Sequence, residues 1–220
     1  MDILKGKIVC IEGGIGVGKS TLGTSLVKEL TQQNIESIFY TEPFTQGMLE
    51  KFLTNPVKYA YPFQLYMLTR RQVVFVQAIQ QAQQGKCCII DRSLIGDLVF
   101  ATLQYESQNI TKEDYRVYKE VYDQFKEYEP DCIVYLDAPA SKQAERIRIR
   151  NRNKEDAYDM GYLDNLNSTY LKTLQEEFNL PNRQISIVDW SSSVPVNNGI
   201  LNTESTNKII DLIKSSFSEI

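Results

Sequence analysis

The run Gly13-Gly14-Ile15-Gly16-Val17-Gly18-Lys19-Ser20 satisfies the spacing GxxxxGK[ST] and passes directly into a helix-forming stretch that begins Thr21-Leu22. Glycines at this spacing let backbone N–H groups turn inward around phosphate oxygens, and the following helix N-terminus adds its positive end. Within the motif, Lys19 is the cation for terminal phosphate oxygens and Ser20 supplies a hydroxyl for Mg²⁺. Such a loop serves many kinds of nucleotide-using protein, so it fixes phosphate binding and leaves the reaction open.

Other chemistry-bearing residues follow at the ends of later apolar runs. Thr41-Glu42-Pro43 places a carboxylate where it can orient a hydroxyl nucleophile and accept its proton. Asp91-Arg92-Ser93 joins a metal-binding acid to a cation. Farther along, Arg146-Ile147-Arg148-Ile149-Arg150-Asn151-Arg152 concentrates positive charge, and the i, i+4 spacing sets Arg146 and Arg150 on one helical face. In an acidic chain this density suits a lid, about 146–158, that neutralises a polyphosphate as a phosphoryl group moves.

These residues need a scaffold that brings them to one edge. Short apolar runs at Lys7–Ile11, Ser37–Tyr40, Cys87–Ile90, Cys132–Leu136 and Ile185–Val188 read as buried strands. Between them lie helix-length segments at Lys19–Leu30, Pro62–Gln84, Leu94–Tyr105, Lys112–Glu127, Ala140–Arg150 and Leu163–Phe178. The alternation predicts an α/β fold, a doubly wound five-stranded parallel sheet with helices on both faces. Ligands of such sheets collect at the carboxyl ends of the strands, where Glu42 and Asp91 fall. A polar Ser/Asn/Val stretch at Ser191–Ser205 precedes an amphipathic helix near Thr206–Phe217, and residues 1–220 read as a single domain.

Composition narrows the chemistry further. Net charge is −4 and pI about 5.1, without the basic excess that attracts a nucleic-acid polymer. There is no histidine, so proton transfer falls to other groups. Cys10, Cys87, Cys88 and Cys132 match no zinc or redox spacing and are expected to be buried, reduced thiols. The polar start and the lack of a membrane-length apolar run lead to the expectation of a cytoplasmic protein without a membrane partner.

Taken in order, the phosphate loop, Glu42-Pro43, Phe63-Gln64, Asp91-Arg92-Ser93 and the Arg146/Arg150/Arg152 lid with Glu155 resemble the deoxynucleoside kinase family, over about Lys7 to Trp190. The resemblance implies transfer of the γ-phosphoryl group of ATP, with Mg²⁺, to the 5′-hydroxyl of a deoxynucleoside in nucleotide salvage. It makes Glu42 the general base, Arg92 the residue that steadies that carboxylate and the 5′-oxygen, and Asp91 with Ser20 the metal ligands. Lys19, Arg146, Arg150 and Arg152 go to the donor phosphates, and the donor site takes in Gly13 to Thr21 together with Asp189 and Trp190. Gln64 would read the base through its amide, Glu155 would bind the sugar 3′-hydroxyl, and a homodimer is expected. Arg71 lies two helical turns beyond Gln64, and with Asp97 it is expected to form a polar pair that favours amino-bearing bases, purines or cytosine, over thymine.

Three positions depart from the family pattern: Asp91 replaces a common Glu, Leu53 stands where a sugar-binding Tyr is usual, and Gly47 occupies the place of a frequent Trp. Tyr59, Tyr61 and Tyr66 are candidates to compensate for Leu53. Three rival readings share the loop, one of them a catalytically silent nucleotide-binding protein, against which intact Lys19, Ser20, Glu42 and Arg92 argue. A nucleoside monophosphate kinase would need another clamp for the acceptor phosphate. A GTP-binding switch finds a literal NKxD in Asn153-Lys154-Glu155-Asp156, but that run follows a helix and no DxxG follows the third strand.

Overall fold

In the computed structural model, residues 2–125, 128–151, 158–177, 184–192, 196–197 and 199–218 are described. The five expected strands form one parallel sheet: β1 (Ile8–Gly13), β2 (Ser37–Tyr40), β3 (Cys87–Asp91), β4 (Cys132–Asp137) and β5 (Gln184–Asp189), in the order β2-β3-β1-β4-β5. β1 pairs with β3 and β4 in parallel, which places the start of the phosphate loop mid-sheet with strand ends on either side. Pairing of Ile11 with Asp91 and of Leu136 with Gly13 brings these ends level.

Alternate residues of the central strands feed two separate cores, as the period-2 geometry of a strand requires. On one face Cys10, Cys88, Ile90, Ile133 and Tyr135 meet α3 (Pro56–Gln83), α4 (Leu94–Glu106) and α7 (Met160–Glu177). On the other, Val9, Ile11, Ile89, Val134 and Leu136 meet α1 (Lys19–Gln32) and α8 (Thr203–Ser215). All four cysteines are free and buried in these layers, as composition suggests.

Several elements differ from the sequence reading. α3 begins at Pro56, six positions before Pro62, because Asn55 caps it by accepting from the Lys58 N–H at 3.1 Å and Pro56 loses no bond in the first turn. Pro62 therefore lies inside the helix. A further helix, α2 (Gln46–Thr54), packs on α3, with the Phe52 and Phe63 rings stacked at 5.0 Å. α5 (Lys112–Asp123) and α6 (Ala140–Arg150) complete the helical layers, and a two-stranded ribbon, β6 (Val196–Asn197) with β7 (Ile200–Leu201), lies within the polar stretch before α8. The Leu201 N–H donates to Ser25 Oγ at 2.9 Å, which ties the ribbon to α1. Among the described residues no helix is long and apolar enough to cross a membrane.

Candidate active site

At the carboxyl edge of the sheet lies a cavity of about 890 Å³. One end is lined by Ile15 to Thr21, Arg146, Arg150, Trp190 and Leu201; the other by Phe44, Phe52, Phe63, Gln64, Met67, Asp97 and Phe100. Glu42, Asp91 and Arg92 lie among the lining residues as well.

The phosphate loop is shaped by backbone. Gly16 (φ 75°) and Gly18 (φ 107°) occupy the left-handed region, which a side chain would strain. A Cβ on Gly14 would sit 2.1 Å from Gln143 Oε1, so the loop rests directly on α6. Lys19 Nζ donates to the Gly14 carbonyl at 3.0 Å and approaches the Gly13 carbonyl at 3.4 Å, bonds it can exchange for phosphate oxygens. Burial, with Arg92 nearby, pulls its ammonium down to about 8. Ser20 Oγ donates to Asp91 Oδ2 at 2.8 Å, while Asp91 Oδ1 is buried without a hydrogen-bond partner. A hydroxyl beside an orphaned carboxylate oxygen is a donor set that suits Mg²⁺, which takes few protein oxygens and completes its shell with phosphate and water.

Side chains shape the acceptor end. Glu42, 27% exposed, directs Oε1 at Arg71 Nη2 (3.2 Å) and Arg92 Nε (3.1 Å). The Arg92 contact is close but off the N–H line, leaving that N–H without an in-line acceptor. Burial would raise the Glu42 carboxyl, but Arg92, Arg71 and Lys19 outweigh it and hold it down at about 2. Arg71, fully enclosed in α3, donates from Nε to Asp97 Oδ2 at 2.7 Å and from Nη1 to the Asp91 and Arg92 carbonyls at 2.7 and 3.3 Å. Burial pushes Asp97 up to about 6 against the pull of Arg71.

Most of the residues singled out from sequence therefore converge: Lys19, Ser20, Glu42, Gln64, Arg71, Asp91, Arg92 and Asp97 meet at the sheet edge. Arg146 lines the donor end with its guanidinium donating to carbonyls of Val17 (2.9 Å), Trp190 and Ser192 (both 3.4 Å), so it braces the loop against the segment after β5. Asp189 is not among the cavity residues; its exposed carboxylate accepts from the Ser191 N–H at 2.9 Å and closes a turn, while its neighbour Trp190 does line the cavity. Tyr59, Tyr61 and Tyr66 pack in the α2–α3 cluster and do not line the cavity, nor does Leu53. Arg152, Glu155 and the Asn153–Asp156 run lie outside the described residues. Sequence reasoning named Phe63 only beside Gln64 and missed the rest of the aromatic wall, Phe44, Phe52 and Phe100, as well as the cavity-lining Tyr158 and a buried carboxylate, Glu12, whose partners are Ser93 and Tyr170.

The profile of the family described as Deoxynucleoside kinase matches residues 9–218. The chain belongs to the deoxynucleoside kinase family. The kinase is 33% identical to a deoxyadenosine kinase of Dictyostelium discoideum over 87% of this chain and 75% of that one. It is 30% identical to a thymidylate kinase of Leptospira borgpetersenii serovar Hardjo-bovis over 80% of this chain and 85% of that one. Among solved structures, a deoxyadenosine kinase from M. mycoides with bound dATP superposes with a TM-score of 0.75 at 25% identity, covering 94% of this chain and 98% of that one.

Proposed function

We propose that this kinase transfers the γ-phosphoryl group of ATP to the 5′-hydroxyl of a deoxynucleoside whose base carries an exocyclic amine, in nucleotide salvage. One observation carries the reading: Glu42, gripped by Arg71 and Arg92, stands where the phosphate loop meets an aromatic-walled pocket holding Gln64 and Asp97. A base entering between such rings stacks, the Gln64 amide both donates and accepts, and Asp97 accepts from the amine. Thymine offers no amine and adds a methyl, leaving Asp97 poorly paired.

In this reading Glu42 aims the 5′-oxygen at phosphorus. Its carboxyl, held low by the arginines, is ionised throughout the physiological range, and it takes the proton late, as the new bond makes the hydroxyl acidic. Arg92 lies between Glu42 and the donor loop, placed to meet charge developing on the transferred group, while Lys19 exchanges its carbonyls for phosphate oxygens. Ser20 and Asp91 are the residues that would hold Mg²⁺, which would supply positive charge to the donor phosphates when bound. In the same reading Arg150 and Arg152 go to the donor phosphates and Glu155 to the sugar 3′-hydroxyl. A homodimer fits the exposed Val57, Val73 and Val76 along α3, and light scattering at twice 25.3 kDa checks it.

The likeness to a thymidylate kinase raises a nucleoside monophosphate as acceptor. Charge argues against it: Arg71 and Arg92 are already engaged by Glu42, and Arg71 by Asp97, so an acceptor phosphate there would face two carboxylates. An ADP-release assay with deoxyadenosine, deoxyguanosine, deoxycytidine, thymidine, thymidine monophosphate and GTP separates the readings. Turnover highest with amino-bearing deoxynucleosides is expected. Highest turnover with thymidine overturns the base assignment, highest turnover with the monophosphate overturns the acceptor class, and GTP hydrolysis without acceptor makes the protein a switch.

A further inference from the structure

Glu12 is a fully buried carboxylate on the middle strand, and it does not line the cavity. Burying a charge is costly unless its lone pairs are answered. Here Oε1 accepts from the Ser93 N–H at 2.6 Å and from Ser93 Oγ at 2.7 Å, Oε2 accepts from the Tyr170 hydroxyl at 3.1 Å, and Arg92 Nη1 lies 3.8 Å away. Gly96 makes the room, since a Cβ there would come within 3.0 Å of both carboxylate oxygens.

Every one of these contacts flanks or touches Arg92. The arginine backbone is left-handed (φ 71°), a conformation that a side-chain-bearing residue keeps only when its surroundings impose it. Glu12 fixes the peptide after it, and the bond from the Arg92 N–H to the Ile11 carbonyl at 3.0 Å fixes the peptide before it. The guanidinium is fixed as well: Nη1 donates to the Gly13 carbonyl at 2.8 Å and to the Tyr170 hydroxyl, with the Phe100 ring 4.7 Å from its centre. With that end tied, Nε is kept 3.1 Å from Glu42 Oε1, an ion-pair contact off the N–H line.

We propose that Glu12 and Tyr170 are positioning residues for phosphoryl transfer, holding the Arg92 guanidinium against Glu42 without touching either substrate. Tyr170 projects from α7 and Glu12 from β1, so the set of Arg92 depends on two elements outside the Asp-Arg-Ser turn. The inference rests on the roles assigned above to Glu42 and Arg92.

The test is a double-mutant cycle on full-length protein. Tyr170→Phe keeps the ring packed on Phe100 and Tyr135 and deletes only the hydroxyl. Turnover should fall about tenfold with both KM values within about twofold, the mark of an interaction used in the transition state. Arg92→Lys should cost about 10²-fold by itself, and adding Tyr170→Phe to it should cost little more, because residues acting through one group are non-additive. Glu12→Gln, which leaves an acceptor for the Ser93 N–H, is the second variant and should show the same pattern. Unchanged turnover in both Tyr170→Phe and Glu12→Gln overturns the proposal, as does full additivity with Arg92→Lys. If Arg92→Lys itself is fully active, the assignment of Arg92 falls, and the proposal falls with it.

Discussion

The two ends of the cavity are built from different materials. At the donor end the chain centres the site on one contiguous run, Gly13 to Ser20, in which a glycine-rich backbone and a helix N-terminus are joined by the Lys19 and Ser20 side chains, with Arg146 bracing the loop and Asp91 beside Ser20. At the acceptor end it uses side chains brought from four places, with Glu42 after β2, Arg71 in α3, Asp91 and Arg92 closing β3, and Asp97 in α4. Phosphate is the same in every nucleotide, so a local loop can hold it; a base and sugar must be told apart, and that takes groups converging from separate elements. The donor end should therefore fail at single points, and the acceptor end by losing alignment or selectivity.

Lys19→Met tests the donor side hardest. Turnover should drop about 10³-fold while deoxynucleoside binding, followed by calorimetry, persists, because Lys19 is the ammonium that the phosphate loop itself presents to the transferred group. Glu42→Gln comes next, with kcat down about 10²-fold and deoxynucleoside affinity retained. Near-normal turnover in that variant removes Glu42 as base and makes the acceptor end a binding pocket alone.

The pair Arg71→Met with Asp97→Ala sharpens the contrast in another way. Because Arg71 also holds the Asp91 and Arg92 carbonyls, turnover should fall for every acceptor, yet the ratio of thymidine to deoxyadenosine efficiency should rise by about tenfold or more. An unchanged ratio would make the ion pair purely structural. The smallest effect concerns pH. Asp97, pushed up to about 6 by burial and faced by Arg71, Glu42, Glu12 and the Tyr118 hydroxyl, must be ionised to pair with Arg71 and accept from the base. Lowering pH through 6 protonates it, so kcat/KM for an amino-bearing deoxynucleoside should decline below that point by up to about tenfold per unit. Asp97→Asn should flatten that limb, and a limb that persists assigns it elsewhere.

The same division decides what the sequence discloses. The phosphate loop is contiguous, so one motif with a strand before it and a helix after it identifies the donor end. The parallel sheet is legible for a related reason: β1, β3 and β4 are buried on both faces and stand out as unbroken apolar runs. Glu12 is hidden by that very run, since nothing local distinguishes a carboxylate sunk in a strand from one at its end. Tyr170 and Phe100 fall at helical spacing among other apolar residues and read as core until their partners are seen. α2 escapes detection because its first turn carries Gly47 and its cap, Thr45, makes no side-chain bond.

Gly14 offers a different consequence. Its missing side chain is required by Gln143 Oε1, an amide oxygen buried without a hydrogen-bond partner, and Gly16 is crowded in the same manner by Ile147. The loop and α6 are thus two halves of one mould, and coupled change at positions 14 and 143 is the expectation. A methyl at position 14 has to displace the amide end of Gln143, breaking the bonds from its Nε2 to the Ala138 carbonyl and Asn167 Oδ1, so room in the loop comes at the expense of what holds α6 in place.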